Sequence, residues 1–343
     1  MSGSENVFSI VQFGAQSGTA YAPGAAVAAT VLFPIDSPVQ MLLDRASQYP
    51  KQDRGRNVRN TAGQGYHGVR RSDLVLPGQA SFEYMMDLLE MHASGGVTPT
   101  GGPAYVWVYP FEAVTPTLVP RTIEGGNIDA TQAQMRMTSC LVDQLTMGFP
   151  DIIAPGAFPW TFSANIVGLD RGISTLTAAL SGRTGMEVMQ GHLTTLLEGT
   201  TSTAFASLTE IAGSLKAYTQ TTNRMLATRA YGGATDIPVR FGFKDMSTGT
   251  FEAKLAISAT SKSDFHDIWN ATSPAPLGER RWRIKVIGTG TKVMTIDARV
   301  GITAVPTDDV DGERIFKVGG EFVDDSTLGA PLVWTITNAI ATL

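Results

Sequence analysis

Residues 281–302 read RWRIKVIGTGTKVMTIDARVGI. Trp282, Ile284 and Val286 alternate with Arg281, Arg283 and Lys285, and then Met294, Ile296, Ala298, Val300 and Ile302 form a second apolar face of the same period. An alternation of two places successive side chains on opposite faces of a strand. The GTGTK between the two runs, Gly288 to Lys292, is then a hairpin turn. A phosphate-binding loop would need GxxxxGK[ST] opening a helix.

The same period recurs in both directions along the chain. Tyr105, Trp107, Tyr109 and Phe111 alternate with Val106, Val108 and Pro110; Met135 and Met137 alternate with Gln134, Arg136 and Thr138; Trp160, Phe162, Ala164 and Ile166 alternate with Thr161, Ser163 and Asn165. Farther on, Val239, Phe241 and Phe243 oppose Arg240 and Lys244, and Phe251, Ala253, Leu255 and Ile257 oppose Glu252, Lys254 and Ser258. Asp311-Gly312 signals another hairpin, Arg314 to Val323 returns from it, and Pro331 to Ile336 makes the last strand. Ala28 to Ile35 reads as a strand after a Gly/Ala-rich N-terminal arm.

Two segments carry helical spacing. In Ser81–His92, Phe82, Met85, Met86 and Leu89 share one face, with Glu83, Asp87 and Glu90 on the other. Ser81 suits its start and Gly95-Gly96 its end. Ser263–Asn270 is expected to be a shorter helix. The order of strand pair, helix, aromatic-led strand and hairpin therefore appears twice. It predicts a mainly β protein of two tandem β-sandwich or barrel-like domains, 1–172 and 173–343, each with one short helix.

Composition narrows the function classes. Of 343 residues, 43% are hydrophobic, enough for a substantial core, and 36 Gly with 18 Pro suit many turns. The net charge of -5 opposes a duplex-wrapping protein, and neither half is basic: 10 Lys and Arg face 14 acids up to Gly172, and 16 face 17 after it. Cys140 is the single cysteine, so no intrachain disulfide is expected, which fits a reducing cytoplasm. No apolar run has the length of a membrane span, and MSGSENVFSIVQFG lacks the features of a secretory signal.

No catalytic or metal-binding constellation emerges. His67, His92, His192 and His266 are scattered without metal spacing, no GxSxG occurs, and Asp308, Asp309 and Asp311 lack the late Glu of a calcium loop. No enzyme activity and no cofactor are expected. The one concentrated charge feature is Arg45 to Arg71, which holds Arg45, Lys51, Arg54, Arg56, Arg59, Arg70 and Arg71 against Asp53 alone, with four glycines. It reads as a long, exposed basic loop. Its predicted role is contact between subunits, received by the acidic sites Asp308, Asp309, Asp311, Asp324 and Asp325.

Several stretches resemble the tail tube (major tail) proteins of long-tailed bacteriophages, of the double-domain type. FGAQSGTAYAPGAAVAATVLFPI (13–35) is similar to that family's Gly-rich start, VLPGQASFEYMMDLLEM (75–91) to its strand-to-helix segment, and YVWVYPFEA (105–113) to the strand after it. In the second half EIAGSLKAYTQTTN (210–223), WRIKVIGTGTKVMTIDARV (282–300) and IFKVGGEFVDDSTLGAPLVWTITNAI (315–340) are similar again. The resemblance implies a virion subunit, made in the host cytoplasm, that polymerises with itself into stacked rings. It also implies tape-measure and tail-end proteins as partners, and DNA passing through without specific binding. Two domains per chain imply trimers with pseudo-sixfold rings. The competing readings are another virion protein, such as a decoration protein or an adhesin, or a carbohydrate-binding β-sandwich using Trp160 and Trp269 as exposed platforms.

Overall fold

The computed structural model describes residues 7–343 except 17, 20–21, 24, 49–65, 94–96, 113–117, 128–133, 152–157, 212–214, 230–239, 259–260, 262–277 and 311–312. The described chain is mainly β, built from antiparallel sheets with one short α-helix among the described residues. Residues 7–173 form a first set of elements. These are β1 (Val7–Phe8), β2 (Ile10–Ala15), β3 (Gly18–Thr19), β4 (Ala22–Pro23), β5 (Val31–Phe33), β6 (Val39–Gln48), β7 (Tyr66–Gln79), α1 (Met85–His92), β8 (Tyr105–Phe111), β9 (Arg121–Gly126), β10 (Met135–Phe149), β11 (Thr161–Gly168) and β12 (Asp170–Ile173). The second set holds β13 (Thr194–Thr200), β14 (Thr209–Glu210), β15 (Leu215–Asn223), β16 (Leu226–Arg229), β17 (Arg240–Phe243), β18 (Thr248–Ala256), β19 (Arg280–Ile287), β20 (Val293–Ala304), β21 (Thr307–Val310), β22 (Glu313–Val323) and β23 (Leu332–Asn338).

The pairings of the two sets correspond. In the first, β6-β7-β11-β10 lie side by side, and β5-β2-β9-β10-β12 form a second layer. In the second, β15-β18-β22 and then β20 with β21 repeat the first order, while β14-β13-β19-β20-β23 repeat the other. Hydrogen bonds also join the sets, through β10 with β15 and through β8 with β23. The buried faces of the layers meet in one continuous apolar core.

Strand β10 belongs to both layers of its set. Its first part pairs with β9 and β12, its last part with β11 and β15. It turns the corner at Ser139, whose φ of 53° is a left-handed conformation that costs a residue with a Cβ about 1 kcal/mol. Buried Gln16 holds this corner: its Oε1 accepts the Ser139 N–H at 2.8 Å and its Nε2 donates to Ser139 Oγ at 2.8 Å. The N-terminal arm expected before residue 29 is thus corrected. Residues Val11 and Phe13 of β2 are fully buried, because β2 is a paired strand of the second layer.

The helix is shorter than expected, with residues 81–84 forming the turn that leads into it; Ser81 Oγ accepts the Tyr84 N–H at 3.2 Å. Its acidic side does not face solvent: Glu83, Asp87 and Glu90 are all buried. Burial of carboxylates requires partners. Arg121 lies 3.3 Å from Asp87 and also pairs with Glu90; Arg183 lies 2.9 Å from Asp87; Lys292 lies 2.7 Å from Glu83. Burial pushes the Asp87 carboxyl above its usual range, against the opposing pull of Arg121 and Arg183. The partners come from β9, from the segment joining the sets, and from the turn before β20, so both sets close over α1. The expected second helix, Ser263–Asn270, lies outside the described residues.

At the other end of α1, the fully buried Arg224 donates to the His92 and Ala93 carbonyls, each at 2.5 Å, and stacks 4.4 Å over Phe111. A cation here satisfies the last carbonyls and opposes the helix dipole. The His92 ring is also fully buried. Its Nδ1 donates to the Val142 carbonyl at 3.0 Å, a group that can only accept, so Nε2 accepts from the Thr222 hydroxyl at 2.7 Å. Burial, and then Arg224, lower its pKa to about 3.

The unfolded chain binds this proton near 6.5 and the folded chain only near 3, so stability falls as pH drops through that window and is fully present above it. Thermal melts of the wild type should therefore lose ground from about pH 6.5 down to about pH 3 relative to His92→Gln. Parallel pH profiles of the two proteins would show that this histidine contributes no proton linkage.

Candidate functional site

The side-by-side strands of the two sets fuse into a single open sheet, because β10 pairs with β15 over Gln144–Phe149 and Tyr218–Asn223. Its order is β6-β7-β11-β10-β15-β18-β22-β21, eight antiparallel strands, with the end of β20 continuing the line of β21. One face is the core, where Leu74, Phe162, Leu145, Tyr218, Phe251 and Val318 are buried. The other face looks outward, since side chains alternate along each strand.

Along the rows that join β11, β10 and β15 that outward face is made of small uncharged polar groups, and charges enter on β18 and β22. Register lines up Pro77, Ser163, Thr146, Thr221, Thr250 and Glu321 as one row across six strands. The next row on one side begins Val75, Asn165, Gln144, Asn223 and Thr248. Neighbours hydrogen-bond along the rows, Thr146 to Thr221 at 3.0 Å and Asn165 to Gln144 at 2.8 Å. Lysines enter only toward the second-set end, and each meets a carboxylate: Lys254 with Asp151 at 2.6 Å, Lys317 with Glu252 at 3.0 Å, Lys216 with Glu313 at 3.3 Å. At half-exposed positions such pairs contribute about 0–1 kcal/mol each, but they cancel the positive charge locally.

The residues singled out in the sequence fall at the two ends of this sheet. Arg45 lies on β6 directly opposite Arg70 of β7, and Arg71 lies opposite Asp44. The long basic loop is corrected to this extent: residues 45–48 and 66–71 are the strands of a hairpin. Lys51, Arg54, Arg56 and Arg59 lie outside the described residues, as does Asp311. Asp308 and Asp309 are exposed on β21, at the opposite end of the sheet, where the Asp309 N–H donates to Asp308 Oδ1 at 2.9 Å. Asp324 is exposed, and its carbonyl accepts from Arg299 at 3.0 Å.

Asp325 differs from its neighbour. It is buried and chelates Arg281 of its own chain, at 2.8 and 3.1 Å. Burial alone would raise its pKa, but the hydrogen bonds from Arg281, Thr327 and Leu328 hold it below the ordinary carboxylate value. Trp160 is also fully buried, with its Nε1 donating to Thr194 Oγ1 at 2.9 Å, so it offers no platform to a sugar. Trp269 lies outside the described residues. Cys140 is buried, and burial pushes its thiol well up, which leaves little thiolate for chemistry.

Sequence reading used Thr161, Ser163 and Asn165 only as the polar half of an alternation. The signal of a functional face was present in the repeated Thr, Ser, Asn and Gln of TFSAN (161–165) and TQTTN (219–223). It needed the sheet order to bring the two stretches together. No family model matches this chain, and no curated protein is similar to it.

The join between the sets leaves no room at its centre. A Cβ added to Gly148 would lie 2.0 Å from the Tyr218 carbonyl oxygen and 2.7 Å from the Thr219 Cα, both backbone atoms. Gly148→Ala must therefore part β10 from β15, at a cost of about 1–3 kcal/mol. A denaturant titration should show that loss, and hydrogen exchange should quicken at Thr219 and Gln220. Unchanged stability would mean that the two strands approach less closely.

Proposed function

We propose that this chain is the structural subunit of a bacteriophage tail tube: copies close into rings, the rings stack, and DNA passes down the enclosed channel. The observation that carries the reading is the open eight-stranded sheet whose outward face is uncharged along the rows that join β11, β10 and β15. A polyanion binds wherever bases neutralise its phosphates and release counterions. A wall of hydroxyls and amides with its lysines cancelled by acids offers no such sites, so DNA can slide along it. The open ends supply the means of closure, since unpaired strand edges pair with another chain and a ring removes every edge.

Two further features support the reading. Two corresponding sets of strands suit two tube domains, 1–172 and 173–343, so that three chains give a pseudo-sixfold ring. Closing three such sheets gives a barrel of twenty-four strands, about 48 Å across the backbone at roughly 4.8 Å strand spacing and 40° tilt. That is wide enough for a duplex once side chains line it. The proposal also takes in tape-measure and tail-end proteins as partners and the virion tail as the location.

Electron microscopy of the purified protein tests the reading, and the expected result is hollow tubes or stacked rings with three copies per ring. The lining can be tested on its own. Tubes of Thr146→Lys/Thr221→Lys should retain duplex DNA at low salt and release it as salt rises, whereas wild-type tubes should not bind it. If wild-type tubes hold DNA as strongly as the lysine variant does, this face does not line the channel.

A further inference from the structure

The internal join between β10 and β15 predicts an external one. Because the two sets correspond strand by strand, the last strand of the second set stands to a neighbouring copy as β10 stands to β15. Bulges fix the alignment. Strand β10 shifts register against β11 between Val142 and Gln144, and β20 shifts against β22 between Ile302 and Ala304. Matching these bulges makes Gln144 equivalent to Ala304 and Met147 to Thr307.

The other side follows by the same steps. Ala164 and Val318 are then equivalent, and their partners are Leu76 of β7 and Ala253 of β18. Two residues along, Leu74 pairs with Met41 of β6, and Phe251 pairs with Gln220 of β15. Met41 is therefore the counterpart of Gln220, and Asp44 that of Asn223. Within the chain, Met147 pairs with Gln220 and Gln144 with Asn223.

We infer that the run Ala304–Thr307 of one copy pairs antiparallel with Met41–Asp44 of β6 in a second copy of this chain, Thr307 opposite Met41 and Ala304 opposite Asp44. The inference rests on the proposed tube subunit for its role, but its register comes from the pairings alone. Strand direction agrees: eight antiparallel strands are an even number, so β21 runs opposite to the β6 that a rotated copy presents, and antiparallel order continues across the joint. The edge is also chemically prepared. The Pro306 carbonyl accepts from Lys317 N at 2.9 Å, so the missing N–H of Pro306 would have faced β22, and the groups of Val305 and Thr307 face outward.

On β6, among the described residues, β1 pairs only with Val39 and Gln40, which leaves the edge from Met41 onward for the neighbour. This register does not bring the bases of the β6–β7 hairpin to Asp308 and Asp309: the two acids run past Met41 toward Gln40 and Val39, while Arg45 lies beyond Asp44. The joint therefore rests on backbone pairing.

A cross-link reads the register directly. Adjacent antiparallel strands bring Cα atoms to about 4.5–5.5 Å, within disulfide reach. The equivalents of Ala304 and Asp44 are the exposed-face residues Gln144 and Asn223, so both cysteines of Ala304→Cys/Asp44→Cys should be accessible, while native Cys140 is buried and inert. On oxidation the double variant should give a ladder of covalent oligomers that closes into rings. Gln144→Cys/Asn223→Cys should close within one chain. If the internal pair closes but the external pair leaves only monomers, the joint is overturned, while tubes formed by the wild type would keep the tube reading. Cross-linked rings that never stack would sustain the joint and overturn the tube. Should the cysteine variant fail to fold, Thr307→Pro removes one outward N–H: association, measured by sedimentation, should be lost with the monomer's melting unchanged, and undiminished association would overturn the joint.

Discussion

Every strand must pair its backbone groups, and fifteen-residue β10 does so with four different neighbours. Its early residues bond to β9 and β12, and its late residues to β11 and β15. The rest of the structure follows from that division. The corner at Ser139 sets how the two layers of the first set cross, since corners between packed sheets are made by strands that bend from one to the other. The final six residues carry the sheet into the second set, where β15 accepts them. Without this junction there would be two smaller sheets and no continuous polar face.

The same economy of partners governs α1. A helix with three acids on one side would ordinarily expose that side. Here the chain closes over it, and Arg121, Arg183 and Lys292 enter the interior to meet the carboxylates. Such buried pairs contribute little net stability compared with apolar packing, but removing one partner strands a buried charge at a cost of about 3–5 kcal/mol. Their effect is therefore directional. The segment carrying Arg183 and the turn carrying Lys292 each have one low-energy place, on α1 and on the turn that leads into it. The two sets are held in a fixed relation by ion pairs around the helix and by Arg224 and Asn338 at its ends.

That fixed relation gives the outward face its form. If the sets moved independently, the rows of Thr, Ser, Asn and Gln would break at β15. Hydrogen bonds between Thr146 and Thr221 cross the junction itself. Close approach there depends on Gly148, where any side chain would strike backbone. The face is thus a product of packing beneath it as much as of the residues upon it.

Alternation in 281–302, 105–111 and 161–168 determined the strands by itself, because a period of two is a local property of a half-buried sheet. The turn at Gly288–Lys292 was equally local: the Gly288 N–H donates to the Lys292 carbonyl at 2.8 Å, and Gly290 has a φ of 64°. Sequence also placed the helix within four residues of its start. Strand neighbours beyond the hairpins were decided only by the tertiary structure, since pairing joins residues such as Tyr105 and Asn338 that no local pattern relates. The side of α1 that meets solvent was decided there too. Helical spacing reports where apolar residues recur, but not whether distant arginines will arrive to neutralise the other side. For the same reason Asp324 and Asp325, adjacent and alike in sequence, part company in the fold: past the end of β22 one faces outward and the other turns inward, onto Arg281.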